Sequence, residues 1–446
     1  ELVLHYIACM KAGLVATPCN YRYVPAEIDH ALEVSGASVL IAHAEREQDV
    51  AASKLAGRLP RGVVRYGAKD RQTTSFESLV EQEPAFRELP RPDPSAPAFI
   101  FFTSGSTGPS KGVTHSLETT GWIATSAAKA FELSAEDIMM PGSSIAHIGG
   151  ILFSFAALSV GVRVVVARTW DPEEVLELLR VERPTVLCML PAALFAVVRD
   201  HGATRADFDS LRLCRSGSDK VPLELEREFT DLTGHMIDEG YGCTETGMVT
   251  LNPPSGTIKI GSIGRANPGY MVSVRSENGT ELPPDREGRL WVRSHTNMIG
   301  YWSHPEATAE VIKDGWFDTG DLMRTDGEGY FWFCGRKKQI IVHDSLNICP
   351  QEVEDALLEH AAVESAGVIG IHDLVHGENV RAYITLKEGA QRPTVQELIR
   401  FARARVGYKA PEMIFVLDKM PLNPTGKVDR IELKRMAAEH TNGTTV

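Results

Sequence analysis

From Glu1 to about Pro254, stretches with apolar residues at helical spacing alternate with short apolar, β-branched runs such as Ala37 to Ala42, Val162 to Val166 and Thr185 to Met189. The alternation predicts βαβ units and a largely parallel sheet. One unit is plain in PEEVLELLRVERPTVLCML: a helix opens at Pro172 with acidic residues in its first turn, breaks at Pro184 and gives way to a buried strand. The Pro-rich stretch Leu89 to Pro97 reads as a connection into a strand from Ala98 to Phe102. From Gly256 to Phe333 the pattern changes to short strands punctuated by Gly and Pro, with ENGTELPPDREG ahead of a strand from Arg289 to Arg293, which predicts a β-rich subdomain. After Gly335 the chain begins again with a strand, a helix from Pro350 to His360, and strands near Gly367 to Ile371 and Val380 to Leu386. The expected class is therefore α/β: a large N-terminal domain over 1–338, its β-rich part at 256–335, and a small α+β C-terminal domain over 339–446. The tail HTNGTTV is expected to fray.

Composition narrows the possibilities. A chain of 446 residues, 43% hydrophobic and 24% charged, has enough apolar surface for more than one core. Its 59 acidic and 46 basic residues give a formal charge of -13, spread along the chain, which argues against nucleic acid as a partner. Seven scattered cysteines without CxxC spacing suggest neither a disulfide framework nor a zinc site and fit a reducing cytoplasm. The longest apolar run, Ile148 to Ala167, is interrupted by Gly161 and Arg163, so no membrane span is expected. The opening ELVLHYIACMKAGLVATP reads as a helix already under way followed by a strand, so the true N-terminus is expected to lie upstream.

The strongest local signal is FIFFTSGSTGPSKGV. An apolar strand runs straight into Thr103, Ser104, Gly105, Ser106, Thr107, Gly108 and Lys111. Small residues let backbone N–H groups approach phosphate oxygens, the hydroxyls add donors, and Lys111 adds a positive charge. The spacing differs from the GxxxxGK[ST] pattern. On its own the segment also reads as a Gly/Ser surface turn.

Further segments follow in a fixed order: PGSSIAHIGG, RSGSDKVP, EGYGCTETG, GWFDTGDL, GRKKQIIV and PLNPTGKVDR. Each alone is an ordinary loop or a solvated charge; together, over nearly the whole chain, they resemble the adenylate-forming superfamily of acyl-CoA synthetases, luciferases and peptide-synthetase adenylation domains. That resemblance implies ATP/AMP, Mg2+ and coenzyme A as cofactors and a two-step ligase that converts a carboxylic acid to its CoA thioester through acyl-AMP. It implies that the TSGSTGPSKG loop cradles the β- and γ-phosphates, that Tyr241 lies against adenine beside Gly242, that Thr244 bonds the α-phosphate and that Glu245 holds Mg2+. Gly217, Ser218 and Asp219 would wall the adenine, and Asp321 would accept from the ribose hydroxyls. Arg336 would contact ribose or phosphate just before a hinge. Lys427 would reach in from the small, mobile domain during adenylation and be withdrawn when that domain rotates to admit the thiol. His147 stands where relatives gate the acid and the thiol, although a lone His is also often a satisfied core residue.

One loop departs from the family pattern. Where relatives read approximately GRxKDxIxxGGxNIxPxEVE, this chain reads GRKKQIIVHDSLNICPQEVE, with Gln339 at the pivot and His343, Asp344 and Ser345 where glycines are usual. The change leaves open an enzyme specialised for thioesterifying a supplied acyl-AMP. A carrier-protein phosphopantetheine is a second possible acceptor, less favoured because no carrier domain is attached, and a non-catalytic nucleotide-binding protein is a third reading. Small residues Gly149, Gly150, Ser154 and Ala156 suggest room for a medium or bulky acid.

Overall fold

The protein is described by a computed structural model that covers residues 1–446 apart from 68–74, 83–87, 90, 104–109, 143, 169–170, 200, 218–220, 337–338, 344–345, 374–376, 424–425 and 443–446. Its centre is a seven-stranded sheet in the order Arg265–Ala266, Gly247–Leu251, Ile237–Cys243, Leu213–Gly217, Val186–Met189, Ile138–Met140 and Arg163–Val164. The strands from Ile237–Cys243 to the Arg163–Val164 edge run parallel, as the βαβ pattern predicts. Period-2 alternation sorts their side chains into two layers. Leu187, Met189 and Cys214 pack with helices Pro172–Glu182, Pro191–Arg199 and Leu223–Thr233. Val186, Cys188 and Leu213 pack with helices Leu117–Ala130 and Ile148–Ser159 on the other face. Each fully buried Leu, Val or Phe in such a layer contributes about 1.5–3 kcal/mol.

The unit read most clearly from sequence forms as expected. Asp171 caps the helix Pro172–Glu182 by accepting from the Glu173 N–H at 3.0 Å, and Arg183 ends it with φ 48°. The apolar run Ile148 to Ala167 holds the buried helix Ile148–Ser159 and a short edge strand. No helix among the described residues is long and apolar enough to cross a membrane.

The β-rich stretch is an antiparallel sheet in the order Met271–Arg275, Gly288–Arg293, Trp316–Thr325 and Ile312–Lys313, with Phe331–Arg336 added on Trp316–Thr325. The strand Pro97–Phe102 belongs to neither sheet: it pairs antiparallel with Gly112–Ser116, which in turn meets Gly300–Tyr301. At the C-terminal end, strands Ile341–His343, Val363–Asp373, Gly377–Leu386 and Met413–Val416 carry helices Pro350–Leu358, Val395–Val406 and Arg430–Asn442 over their own core. The last helix runs to Asn442, and residues 443–446 lie outside the described residues.

Gly142 shows how tightly the central sheet closes under the segment leading to His147. A Cβ there would lie 1.3 Å from the Cys188 carbonyl oxygen, whereas one at Gly121 meets nothing within 4 Å. Gly142→Ala is therefore expected to lower stability by about 3 kcal/mol or more, while Gly121→Ala, inside a helix, stabilises slightly. Urea-denaturation midpoints of the two variants check this, and equal midpoints would contradict it.

Candidate functional site

The carboxyl edge of the parallel strands is where ligands bind in open α/β sheets, and there lie Gly217 and the segment from Tyr241 to Glu245. The segment EGYGCTETG forms the end of strand Ile237–Cys243, a turn through Thr244, and the start of Gly247–Leu251. His115 holds that turn from below. Its Nε2 lies 2.8 Å from the Thr244 carbonyl oxygen, which can only accept, so the ring hydrogen sits on Nε2 and Nδ1 accepts from the Thr119 hydroxyl at 3.1 Å. Burial holds the His115 pKa down at about 4.

Tyr241 and Asp321 meet across two sheets: the Tyr241 hydroxyl donates to Asp321 Oδ2 at 2.5 Å. Arg336 Nε completes the carboxylate at 2.9 Å from Oδ1, and Asp321 and Arg336 are register partners on neighbouring strands. Asp321 is 2% exposed. Burial pushes its carboxyl up, opposed by the Arg336 charge, the Tyr241 hydroxyl and the Lys427 charge. Gly335, at φ 128°, lets the chain turn here, with the Cys349 Sγ 2.7 Å from where its Cβ would stand.

Glu245 lies one residue beyond Thr244. Its Oε1 accepts from the Tyr301 hydroxyl at 3.0 Å, and burial raises its pKa. Lys111 Nζ stands 5.1 Å from the Tyr301 ring centroid. The base of the Gly/Ser loop is closed by Thr103 N–H donating to Lys111 O at 3.4 Å, and His30 Nε2 lies 2.8 Å from Ser110 O. Thus Thr103, Lys111, Tyr301 and Glu245 form a continuous run. Ser104, Gly105, Ser106, Thr107 and Gly108 lie outside the described residues, as do Ser218 and Asp219; Gly217 ends its strand, with a Cβ position 2.6 Å from Gly240 O. Gly242 is equally tight, its Cβ position 2.3 Å from Gly247 O.

His147 caps the helix Ile148–Ser159, Nδ1 accepting from the Gly149 N–H at 3.2 Å, so its hydrogen is on Nε2. Its pKa is held down at about 4 by burial and by the charges of Lys427 and Arg215. Lys427 sits in a turn of the small domain, where its N–H donates to Asn423 Oδ1 at 3.1 Å and its carbonyl accepts from Asn423 N–H at 2.8 Å. The Lys427 charge lowers the pKa of both His147 and Asp321, behind larger contributions from burial at each. Elsewhere the two domains are tied by the ion pair of Lys387 with Glu224 at 3.0 Å, a surface contact worth little.

Two expectations about the acid pocket are corrected. Ser154 is fully buried and its hydroxyl donates to Gly150 O at 2.7 Å, while Ala156 packs into the core layer, so both serve helix packing. Sequence reading missed Tyr301, His115 and Arg215. The first two carry no local signature, because their partners lie 56 and 129 residues away. Arg215 did carry one, a charge inside an apolar strand.

A family model described as AMP-binding enzyme matches residues 1–302, and one described as AMP-binding enzyme C-terminal domain matches residues 352–427. A feruloyl-CoA synthase from Amycolatopsis sp is 33% identical over 434 residues, covering 96% of this chain and 85% of that protein. Among solved structures, ATP-bound MatB from Rhodopseudomonas palustris superposes with a TM-score of 0.89 at 27% identity, covering 98% of this chain and 86% of that one. The apo form of the same protein, with the same coverage and identity, gives 0.76.

The buried neutral His115 has a consequence for stability. Its folded pKa lies below the unfolded value, so stability is full above about pH 6.5 and is lost as pH falls towards 4, because the unfolded chain binds a proton the folded one refuses. Between about pH 7.5 and about pH 5 the loss from this ring is roughly 2 kcal/mol. His115→Gln, which keeps a donor for Thr244 O, is expected to show a flatter decline in urea midpoint over that range; a decline as steep as that of the parent would contradict the assignment.

Proposed function

Because the chain belongs to the AMP-binding enzyme family, we propose that it is an acid–thiol ligase that activates a carboxylic acid as acyl-AMP and transfers the acyl group to coenzyme A. The observation that carries the adenylation half is the buried Asp321 carboxylate held by the Tyr241 hydroxyl and Arg336, on which, as on His147, the Lys427 charge also acts. The higher similarity to an ATP-bound relative than to its apo form supports the same arrangement.

The residues act as follows in this reading. Tyr241 and Gly242 lie along the adenine, with Gly217, Ser218 and Asp219 as the opposite wall. Asp321 takes the two ribose hydroxyls, one carboxylate being suited to two adjacent donors. The loop from Thr103 through Ser104, Gly105, Ser106, Thr107 and Gly108 to Lys111 wraps the outer phosphates with backbone N–H groups, and Thr244 donates to the α-phosphate. Glu245 is the protein ligand for Mg2+. Among the described residues no group of three or more His, Cys, Asp or Glu could hold a metal, and one buried carboxylate suits an ion that takes its other ligands from phosphates and water. When bound, Mg2+ neutralises phosphate charge.

In the first step a substrate carboxylate oxygen attacks the α-phosphorus and pyrophosphate leaves. Lys427 and Arg336 stabilise negative charge as it builds on the phosphorus, positioned before the reaction at little reorganisation cost. His147, neutral at pH 7, lines the entry for acid and thiol. In the second step the small domain, hinged at 338/339, rotates and withdraws Lys427; the CoA sulfur then attacks the acyl carbonyl and AMP departs. His343 Nδ1 lies 2.7 Å from Glu378 O within the small domain. Gln339 and His343 remain departures from the family pattern, and Asp344 and Ser345 lie outside the described residues. The seven cysteines are free, and we place the protein in the cytoplasm.

The test is a split assay on the purified chain: ATP–pyrophosphate exchange across a panel of acids, and thioester formation from synthetic acyl-AMP with CoA. Both activities are expected. Lys427→Ala should lower exchange by about 100-fold or more and thioester formation from acyl-AMP by less than about 10-fold. Equal loss in both steps would contradict the role of Lys427, and thioester formation without exchange in the parent would make it a thioesterifying specialist.

A further inference from the structure

The strand Leu213–Gly217 carries a charge where its neighbours are apolar. Leu213 packs in the layer shared with helix Ile148–Ser159 and Cys214 in the opposite layer, so alternation sends Arg215 to Leu213's side. The contacts agree: the guanidinium carbon lies 5.5 Å from the Phe153 ring centroid, and the residue is 6% exposed. It also lies across the start of the nucleotide-facing loop, since a Cβ at Gly217 would stand 2.7 Å from Arg215 Nη2.

The group is poorly satisfied for so buried a cation. Among the described residues its only hydrogen bond is a long one, Nη2 donating to Gly240 O at 3.3 Å, and its buried Nε has no partner. Its strand neighbour in register is Asp238, yet no carboxylate among the described residues lies within ion-pairing distance of it. Glu239 acts on it only as a more distant charge. A guanidinium withdrawn from water without a partner is strongly unfavourable, and its planar fork of donors is suited to a bidentate anion.

Its position says which part of a substrate would meet it. Gly240 belongs to the EGYGCTETG segment and Phe153 to the helix Ile148–Ser159 that His147 caps, and Arg215 touches both, through Gly240 O and the Phe153 ring. The reacting end of the acid is assigned above to the neighbourhood of Thr244 and Lys427, whereas Arg215 is buried on the face of the sheet that carries Leu213 and Phe153. We propose that Arg215 is a specificity-determining residue that receives a second anionic group, a carboxylate or sulfonate, at the end of the acid remote from the carboxylate being activated. This rests on the acyl-adenylate reading above.

The experiment measures ATP–pyrophosphate exchange by the purified chain with pairs of acids of equal skeleton, over a graded series of chain lengths. One member of each pair ends in a carboxylate or sulfonate and the other in a methyl group. The kcat/KM for the best anion-ended acid should exceed that for its methyl-ended partner by roughly 100-fold. Arg215→Met should reverse the preference, the methyl-ended acid gaining while the anion-ended acid falls, and Arg215→Lys should keep part of it. A parent enzyme that prefers methyl-ended acids, or an Arg215→Met variant that loses both acids alike, would overturn the proposal. If the Met variant does not fold, the preference of the parent decides alone. Absence of exchange with every acid would overturn the acyl-adenylate reading itself, and this one with it.

Discussion

The carboxylate of Asp321, held between Arg336 at 2.9 Å and the Tyr241 hydroxyl at 2.5 Å, joins the parts of the chain that must agree before a nucleotide can be held. Tyr241 belongs to the parallel sheet, Asp321 and Arg336 to the antiparallel one, and Arg336 ends the strand Phe331–Arg336. A buried carboxylate needs several donors. That need draws the two sheets together and fixes where the small domain begins. The same donors surround the place where ribose hydroxyls are proposed to bind, so structural satisfaction and ligand recognition use one residue.

The small domain is attached by weaker means. The described ion pair across the interface, Lys387 with Glu224, is on the surface, and Glu224 is shared with Arg199 at 2.6 Å. Interfaces of that kind permit rearrangement at modest cost. The domain's own core is by contrast well made, with Val353, Leu357, Val368, Val380 and Ile384 among its buried residues. A rigid body on a weak seat is what the proposed two-position mechanism requires, in which Lys427 is delivered and then removed without unfolding its turn.

Much of the fold was legible because hydrophobic period and punctuation agree with each other. The helix at Pro172 has its proline, acidic first turn and terminating break in order, and the sheet strands are continuous apolar runs, as buried parallel strands are. What the pattern did not show was partnership. The strand Pro97–Phe102 reads like its parallel neighbours but pairs antiparallel in a separate small sheet, because strand pairing depends on residues distant in sequence. The residues proposed for the nucleotide site were named through motif order alone, and Tyr301 and His115 were missed because they act through contacts formed only on folding. The expected room at Ser154 and Ala156 failed for a similar reason: small residues on a helix permit close packing as readily as they line a pocket.

The account stands most directly on Asp321, and AMP binding to the full chain, measured by titration calorimetry for the parent and for Asp321→Asn, addresses it without requiring the acid to be known. The amide keeps the shape but loses the charge that Arg336 and two ribose hydroxyls would share. A fall in AMP affinity of about 100-fold or more, with the far-ultraviolet circular dichroism unchanged, is the predicted result. An affinity equal to that of the parent would contradict the placement of the nucleotide at this residue.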